Sequence, residues 1–105
     1  MNSIEEKKIL IQIIGALEAL KCKSITLIEC EKYLFSPRIA KELLNRGFDK
    51  RISEIVYECC ELEDIDSLIP DSMTKCIDTI KNKTIYLLSI YEPIENCEWC
   101  KDIVS

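Results

Sequence analysis

The sequence contains no histidine, two glycines and three prolines among its 105 residues. Histidine is the side chain most often used for proton transfer near neutral pH and the commonest nitrogen ligand of metal ions, so its absence lowers the expectation of catalysis. The small number of glycines and prolines, with 48% hydrophobic residues, argues against a disordered or loop-rich chain. No glycine-rich phosphate loop or nucleophile elbow is present. We therefore expect a small folded domain and assign no catalytic residue and no cofactor.

A long hydrophobic run is also absent. The longest apolar segment, Ile9 to Leu20, is interrupted by Gln12 and Glu18 and is too short to span a bilayer. Residues 1–8 carry charges of both signs, and no small-residue cleavage site follows, which is unlike a signal peptide. These features predict a cytoplasmic protein without a membrane segment.

The fold class follows from helical spacing of apolar residues along the chain. Four sequence signals predict helix starts: Ser3 with Glu6, Thr26 with Glu29, Ser36 before Pro37, and Asp49. Gly47 should end the third helix in a left-handed conformation. We expect one all-α domain over residues 1–105, a bundle of about five helices plus a short C-terminal helix within Glu95–Ile103.

Three segments of this bundle carry more specific expectations. Gly15, inside the first helix, should let a neighbouring backbone approach closely. The segment Glu63–Ile69 reads as an acidic turn before the fifth helix, with at most one short helical turn. The segment Thr84–Leu88 within that fifth helix is rich enough in β-branched residues for a strand to be the alternative.

A stretch of one charge sign is the most informative positive feature of the chain. The acidic stretch runs from Glu54 to Asp71 and contains no lysine or arginine; its acids are Glu54, Glu58, Glu61, Glu63, Asp64, Asp66 and Asp71. Like charges three or four residues apart on a helix cost roughly 0.2–0.5 kcal/mol per pair, and interleaved lysines would have removed that cost. We therefore interpret these seven acids as a binding surface for a basic protein, against the alternative of an ordinary solvated surface.

The remaining polar clusters provide alternatives. Asp64 and Asp66 lack the glycine and the closing glutamate of an EF-hand calcium loop. The basic residues of the 32–51 region could contact nucleic acid, although the net charge of −5 opposes phosphate binding; they are Lys32, Arg38, Lys41, Arg46, Lys50 and Arg51. A small helical nucleic-acid-binding regulator is therefore the alternative of a different class.

The seven cysteines are read mainly as reduced thiols, several of them acting as small buried hydrophobic residues. Cys97 and Cys100 nevertheless have the C-x-x-C spacing of zinc sites and redox pairs. A zinc site would need two further thiolates, such as Cys59 and Cys60, and neighbouring cysteines on a helix point in different directions. A metal or redox protein centred on Cys97 and Cys100 is the second alternative.

The segments Leu34-Phe35-Ser36-Pro37 and Glu61–Pro70 (ELEDIDSLIP), after an opening helix at Ile9–Leu20, resemble an uncharacterised family of small bacterial proteins. The resemblance covers most of residues 3–91, leaves the Cys97–Cys100 tail outside, and implies an all-helical bacterial protein of unknown function. In general character the chain is also similar to bacterial immunity proteins, which neutralise toxins. Our leading hypothesis is thus a non-catalytic cytosolic immunity or antitoxin-like protein that binds a basic, nuclease-type toxin through the acidic stretch.

Overall fold

The computed structural model describes residues 3–93, and their secondary structure is helical. The helices are α1 (Ser3–Lys21), α2 (Leu27–Tyr33), α3 (Pro37–Asn45), α4 (Lys50–Cys60), α5 (Leu62–Leu68) and α6 (Met73–Ser89). A single 3-10 turn, Pro70–Ser72, separates α5 from α6.

The all-α class predicted from the sequence is confirmed, but the number of helices differs from the prediction. Residues 3–93 contain four helices of nine residues or more (α1, α3, α4 and α6) and two helices of seven residues (α2 and α5). Residues Thr84–Leu88 lie within α6, so the alternative of a strand there is wrong. The expected short helix at Glu95–Ile103 lies outside the described residues.

The two long helices, α1 and α6, form an antiparallel pair that carries much of the core. Lys7 near the start of α1 donates to the carbonyl of Glu92 at 3.0 Å, and Glu18 near its end pairs with Lys81 at 2.7 Å. Between these ends, aliphatic side chains of both helices are buried: Leu10, Ile13, Leu17 and Leu20 on α1, and Ile77, Ile80 and Leu87 on α6. Each such burial contributes roughly 1.5–3 kcal/mol, so this pair is the main stabilising unit.

Helices α3 and α4 form a second unit, joined by a tight turn at Gly47. Gly47 has a φ of 85°, a left-handed conformation that favours glycine, and it ends α3 as predicted. Asp49 then caps α4, because its Oδ1 accepts from the backbone N–H of Arg51 at 2.9 Å. The buried Ser53 hydroxyl donates to the carbonyl of Ala40 at 2.9 Å, which fixes the two helices against each other.

Glu6 connects three parts of the chain, and the predicted capping box of Ser3 with Glu6 is wrong. Ser3 is the first residue of α1, not its cap. Glu6 Oε2 accepts from the backbone N–H of Asp49 at 2.6 Å, and its Oε1 accepts from the Tyr91 hydroxyl at 3.0 Å. Burial and this bond to Glu6 raise the pKa of Tyr91. The carboxylate therefore joins α1 to the start of α4 and to the chain after α6.

Gly15 does not serve the role expected of it. It lies on the exposed side of α1, and a Cβ atom added there would have no heavy atom within 4 Å outside its own stretch of helix. No neighbouring backbone in the described part of the chain requires glycine at this position. The residue costs helix stability and brings no packing advantage within residues 3–93.

The segment expected to be an acidic turn forms the helix α5. Leu62 is buried and Ile65 is half-buried, and these two residues, three apart, lie on the same side of the helix. Glu63 and Asp64 lie in the first turn, where carboxylates interact favourably with the helix dipole. No helix among residues 3–93 is long and apolar enough to cross a membrane.

Candidate protein-binding face

The seven acids of the acidic stretch follow the chain from α4 to the start of α6. Glu54 and Glu58 lie on α4, Glu61 separates α4 from α5, and Asp71 lies in the 3-10 turn. The other three, Glu63, Asp64 and Asp66, lie on α5. Glu58 is half-buried, and the other six are exposed.

The structure divides these acids into two groups by their partners. Glu54 pairs with Lys50 on the same helix at 3.9 Å, and Glu58 pairs with Lys83 of α6 at 2.6 Å. The other five form no ion pair with any lysine or arginine of residues 3–93. We call these five the acidic face: Glu61, Glu63, Asp64, Asp66 and Asp71.

A further acid, which the sequence did not indicate, lies beside the acidic face. Glu31 of α2 is half-buried next to Glu63 of α5. Burial, a side-chain hydrogen bond with Glu63 and repulsion from its charge raise the pKa of Glu31. Only the packing of α2 near α5 brings these carboxyl groups together, because they are far apart in sequence. The contact concentrates negative charge at the start of α5.

Exposed aliphatic side chains lie at the end of α5, between Asp66 and Asp71 in the sequence. Leu68 is 79% exposed and Ile69 is 57% exposed. Asp64 and Leu68 are four residues apart and therefore lie on the same side of α5. Exposed apolar patches that are rimmed by polar residues mark sites of protein interaction.

A groove between α5 and α6 begins at this point. The α5–α6 groove has a volume of about 540 Å³ and an apolar lining of Ile65, Ile69, Cys76 and Ile80, with Glu61 and Lys75 among its charged lining residues. Its apolar lining and its position beside the acidic face were not predicted, since they depend on how α5 packs against α6. The sequence feature that could have indicated an apolar surface here is the pair Leu68-Ile69. Because this pair directly precedes Pro70, it looks like part of a turn.

The basic residues of the 32–51 region are partly neutralised within the chain. Arg46 pairs with Glu42 at 2.9 Å, Lys50 with Glu54 at 3.9 Å, and Arg51 with Asp49 at 2.7 Å. The hydrogen bond with Arg51 holds the pKa of Asp49 below its usual range. A phosphate would have to compete with these carboxylates, which weakens the case for nucleic-acid binding by this region.

The cysteines of the described part of the chain are placed as packing residues more than as ligands. Cys30 and Cys59 are buried, and burial raises the pKa of both thiols. Burial and the carboxylates of Glu31 and Glu61 also raise the pKa of Cys60, which disfavours its thiolate. Within residues 3–93, no three cysteine, aspartate or glutamate side chains are grouped so that they could hold a metal ion. Cys97 and Cys100 lie outside the described residues.

The helices and the acidic face thus define a small all-α domain with an open, negatively charged surface. The chain belongs to the family described as "Protein of unknown function (DUF3969)", whose sequence model matches residues 2–101. The match includes Cys97 and Cys100, so the expectation that these residues lie outside the family resemblance is wrong. Neither the curated proteins nor the solved structures contain a match to the chain.

Proposed function

We propose that this chain is a non-catalytic, cytosolic protein-binding domain of the immunity or antitoxin type, which binds a basic, nuclease-type toxin domain through the acidic face. The observation that carries the proposal is the set of five exposed carboxylates without an ion pair among residues 3–93. Surface charges that serve only solubility are usually interspersed with charges of opposite sign, as Glu42 and Arg46 are on α3.

The chemistry of the partner follows from the sign of this face. A nuclease presents lysines and arginines to the phosphates of its substrate, so a row of carboxylates can replace those phosphates and close the site. Complementary charge of this kind raises the association rate steeply at low salt and excludes acidic competitors. The acids need no catalytic chemistry, which agrees with a chain that contains no histidine.

The proposal is tested by asking whether this chain protects growing cells from the toxin. An immunity protein is expected to be encoded beside its toxin, so the first step is to examine the reading frames that flank this gene in its native genome. A frame that encodes a protein with a basic terminal domain provides the toxin to express, and co-expression of this chain should restore growth.

The double variant Glu61→Lys/Asp64→Lys should lose this protection. A matched control, Glu5→Lys/Glu42→Lys, makes the same change of net charge at the groove between α1 and α3, away from the acidic face. This control should still protect. Equal protection by both variants, or flanking genes that encode no basic protein, would contradict the proposal.

A further inference from the structure

The α5–α6 groove has the lining of a helix-binding site. Its α6 side runs from Lys75 to Lys83, which is about 12 Å at the rise of an α-helix and matches about two helical turns. The apolar lining residues Ile65 and Ile69 come from α5, and Cys76 and Ile80 come from α6. A groove of this form accepts the apolar face of an amphipathic helix.

The edge of the groove on the α5 side is both apolar and acidic. Ile69 lines the groove, and with its neighbour Leu68 it forms the most exposed aliphatic pair of neighbouring residues in the described part of the chain. Glu61 and Asp64 on the same side have no ion pair within residues 3–93. An apolar centre next to unpaired charges suits a partner that offers aliphatic side chains flanked by lysine or arginine.

The charges of the groove are unequal on its two sides. Lys83 is held by Glu58 at 2.6 Å, so its charge is compensated within the chain. Glu61 on the α5 side and Lys75 on the α6 side both line the groove, and neither forms an ion pair within residues 3–93. A bound helix should therefore place its basic residues along the flank that faces α5. A second copy of this chain, with a net charge of −5, would bring like charge to the same place.

We propose that the α5–α6 groove takes an amphipathic helix of the basic partner, with its apolar residues in the groove and its basic flank against Glu61 and Asp64. This inference rests on the proposed function and adds the way in which the partner is recognised. Binding then uses a helix in a groove, with the acidic face as one side of the site, and not a flat contact between charged surfaces.

The test uses synthetic peptides, so it does not depend on finding the natural partner. The probe is a stapled helical peptide of about 14 residues with leucines on one face and lysines along one flank. A second peptide has glutamates in place of the lysines. Binding to the full chain is followed by the methyl chemical shifts of Ile65, Ile69 and Ile80. The basic peptide should shift these methyl groups and bind at least about tenfold more tightly than the acidic one.

Two matched pairs of variants separate groove binding from general attraction between opposite charges. Thr79→Trp fills the groove and should weaken binding of the basic peptide at least about tenfold. Thr74→Trp, at an exposed position of α6 that lines a different groove, should change the affinity less than about twofold. Glu61→Lys should weaken binding more than Glu5→Lys, although both change the net charge equally. Far-UV circular dichroism of each variant confirms that the helices are retained.

The inference would be overturned by no binding near 1 mM peptide, by equal effects of the two tryptophan variants, or by equal binding of the two peptides. Shifts of the same methyl groups that depend on protein concentration without peptide would assign the groove to a second copy and also overturn it. If cell protection still depends on Glu61 and Asp64 while the peptides fail, only the helix-in-groove mode is wrong. If protection fails as well, the proposed function is wrong.

Discussion

The two glycines of this chain should respond in opposite directions to the same substitution, alanine. Gly15 lies on the exposed side of α1, and an added Cβ would meet no atom within 4 Å outside its own stretch of helix. Gly47 also has open space around it, but its φ is 85°. Space is therefore equal at the two sites, and only the backbone conformation differs.

The magnitudes follow from this difference. Alanine in a helix interior is favoured over glycine by roughly 0.5–1 kcal/mol, so Gly15→Ala should raise the free energy of unfolding by about that amount. At Gly47 an alanine must adopt the left-handed conformation, which costs roughly 1–2 kcal/mol for a residue with a Cβ. For a domain of this size, 1 kcal/mol corresponds to about 4–8 °C in Tm.

Urea unfolding followed by circular dichroism measures both variants. The midpoint should rise for Gly15→Ala and fall for Gly47→Ala, with an unchanged slope if the transition remains two-state. A fall of the midpoint for Gly15→Ala would refute the reasoning, because it would mean that something packs closely against this side of α1. Concentration dependence of that fall would identify a second copy as the packing partner.

Three further predictions concern the charged groups and the thiols. The pKa of Glu31 is raised in the folded state by burial and by Glu63, so its contribution to stability is present at low pH and is lost as the pH rises through the folded-state pKa. Glu31→Gln should therefore stabilise the protein by a few tenths of a kcal/mol at pH 7, as measured by urea unfolding. If this gain in stability does not shrink at acidic pH, repulsion between Glu31 and Glu63 is not its cause. The ion pair Glu58–Lys83 joins α4 to α6 at 2.6 Å. A double-mutant cycle with alanine should give a coupling free energy of roughly 0.2–1 kcal/mol that falls in high salt. Zero coupling at low salt would show that the pair does not stabilise the contact between these helices. Cys22 is exposed and Cys59 is only 1% exposed. An alkylating reagent should therefore modify Cys22 in the native state and Cys59 only after unfolding, as read by peptide mapping. Rapid labelling of Cys59 in the native state would show that the core near α4 opens.

Features of the fold that depend on near neighbours in the sequence were predictable. Thr26 and Glu29 form the expected capping box, with hydrogen bonds of 2.8 and 3.1 Å. Ser36 caps α3 by accepting from Ile39 at 3.2 Å. Both caps use groups three residues apart, so the sequence pattern contains nearly all the information that forms them.

Features that depend on tertiary packing were missed. Glu6 had the spacing of a capping residue, but Asp49 and Tyr91 occupy its carboxylate oxygens. The acidic segment Glu63–Ile69 was predicted to be a turn, whereas burial of Leu62 against the core makes α5 a helix. Competition between local and distant partners decides such cases, and the distant partners become visible only in the folded structure.

The candidate site shows the same division. The seven acids were visible in the sequence as a run of one charge sign. The compensation of Glu58 by Lys83 and the position of Glu31 beside Glu63 were not, because they connect different helices. Packing therefore removes Glu58 from the unpaired acids and adds the α5–α6 groove beside them, whereas Glu54 is paired with Lys50 within α4.

The most direct test of the acidic face is the association rate constant with the basic domain encoded beside this gene, measured by stopped flow from low to high salt. At low salt, Glu61→Lys/Asp64→Lys should associate at least about tenfold more slowly than the unaltered chain, and the difference should shrink as salt is added. The control Glu5→Lys/Glu42→Lys should stay within about threefold of the unaltered chain. Equal slowing by the two double variants would contradict the account, because net charge would then explain the attraction without any defined face.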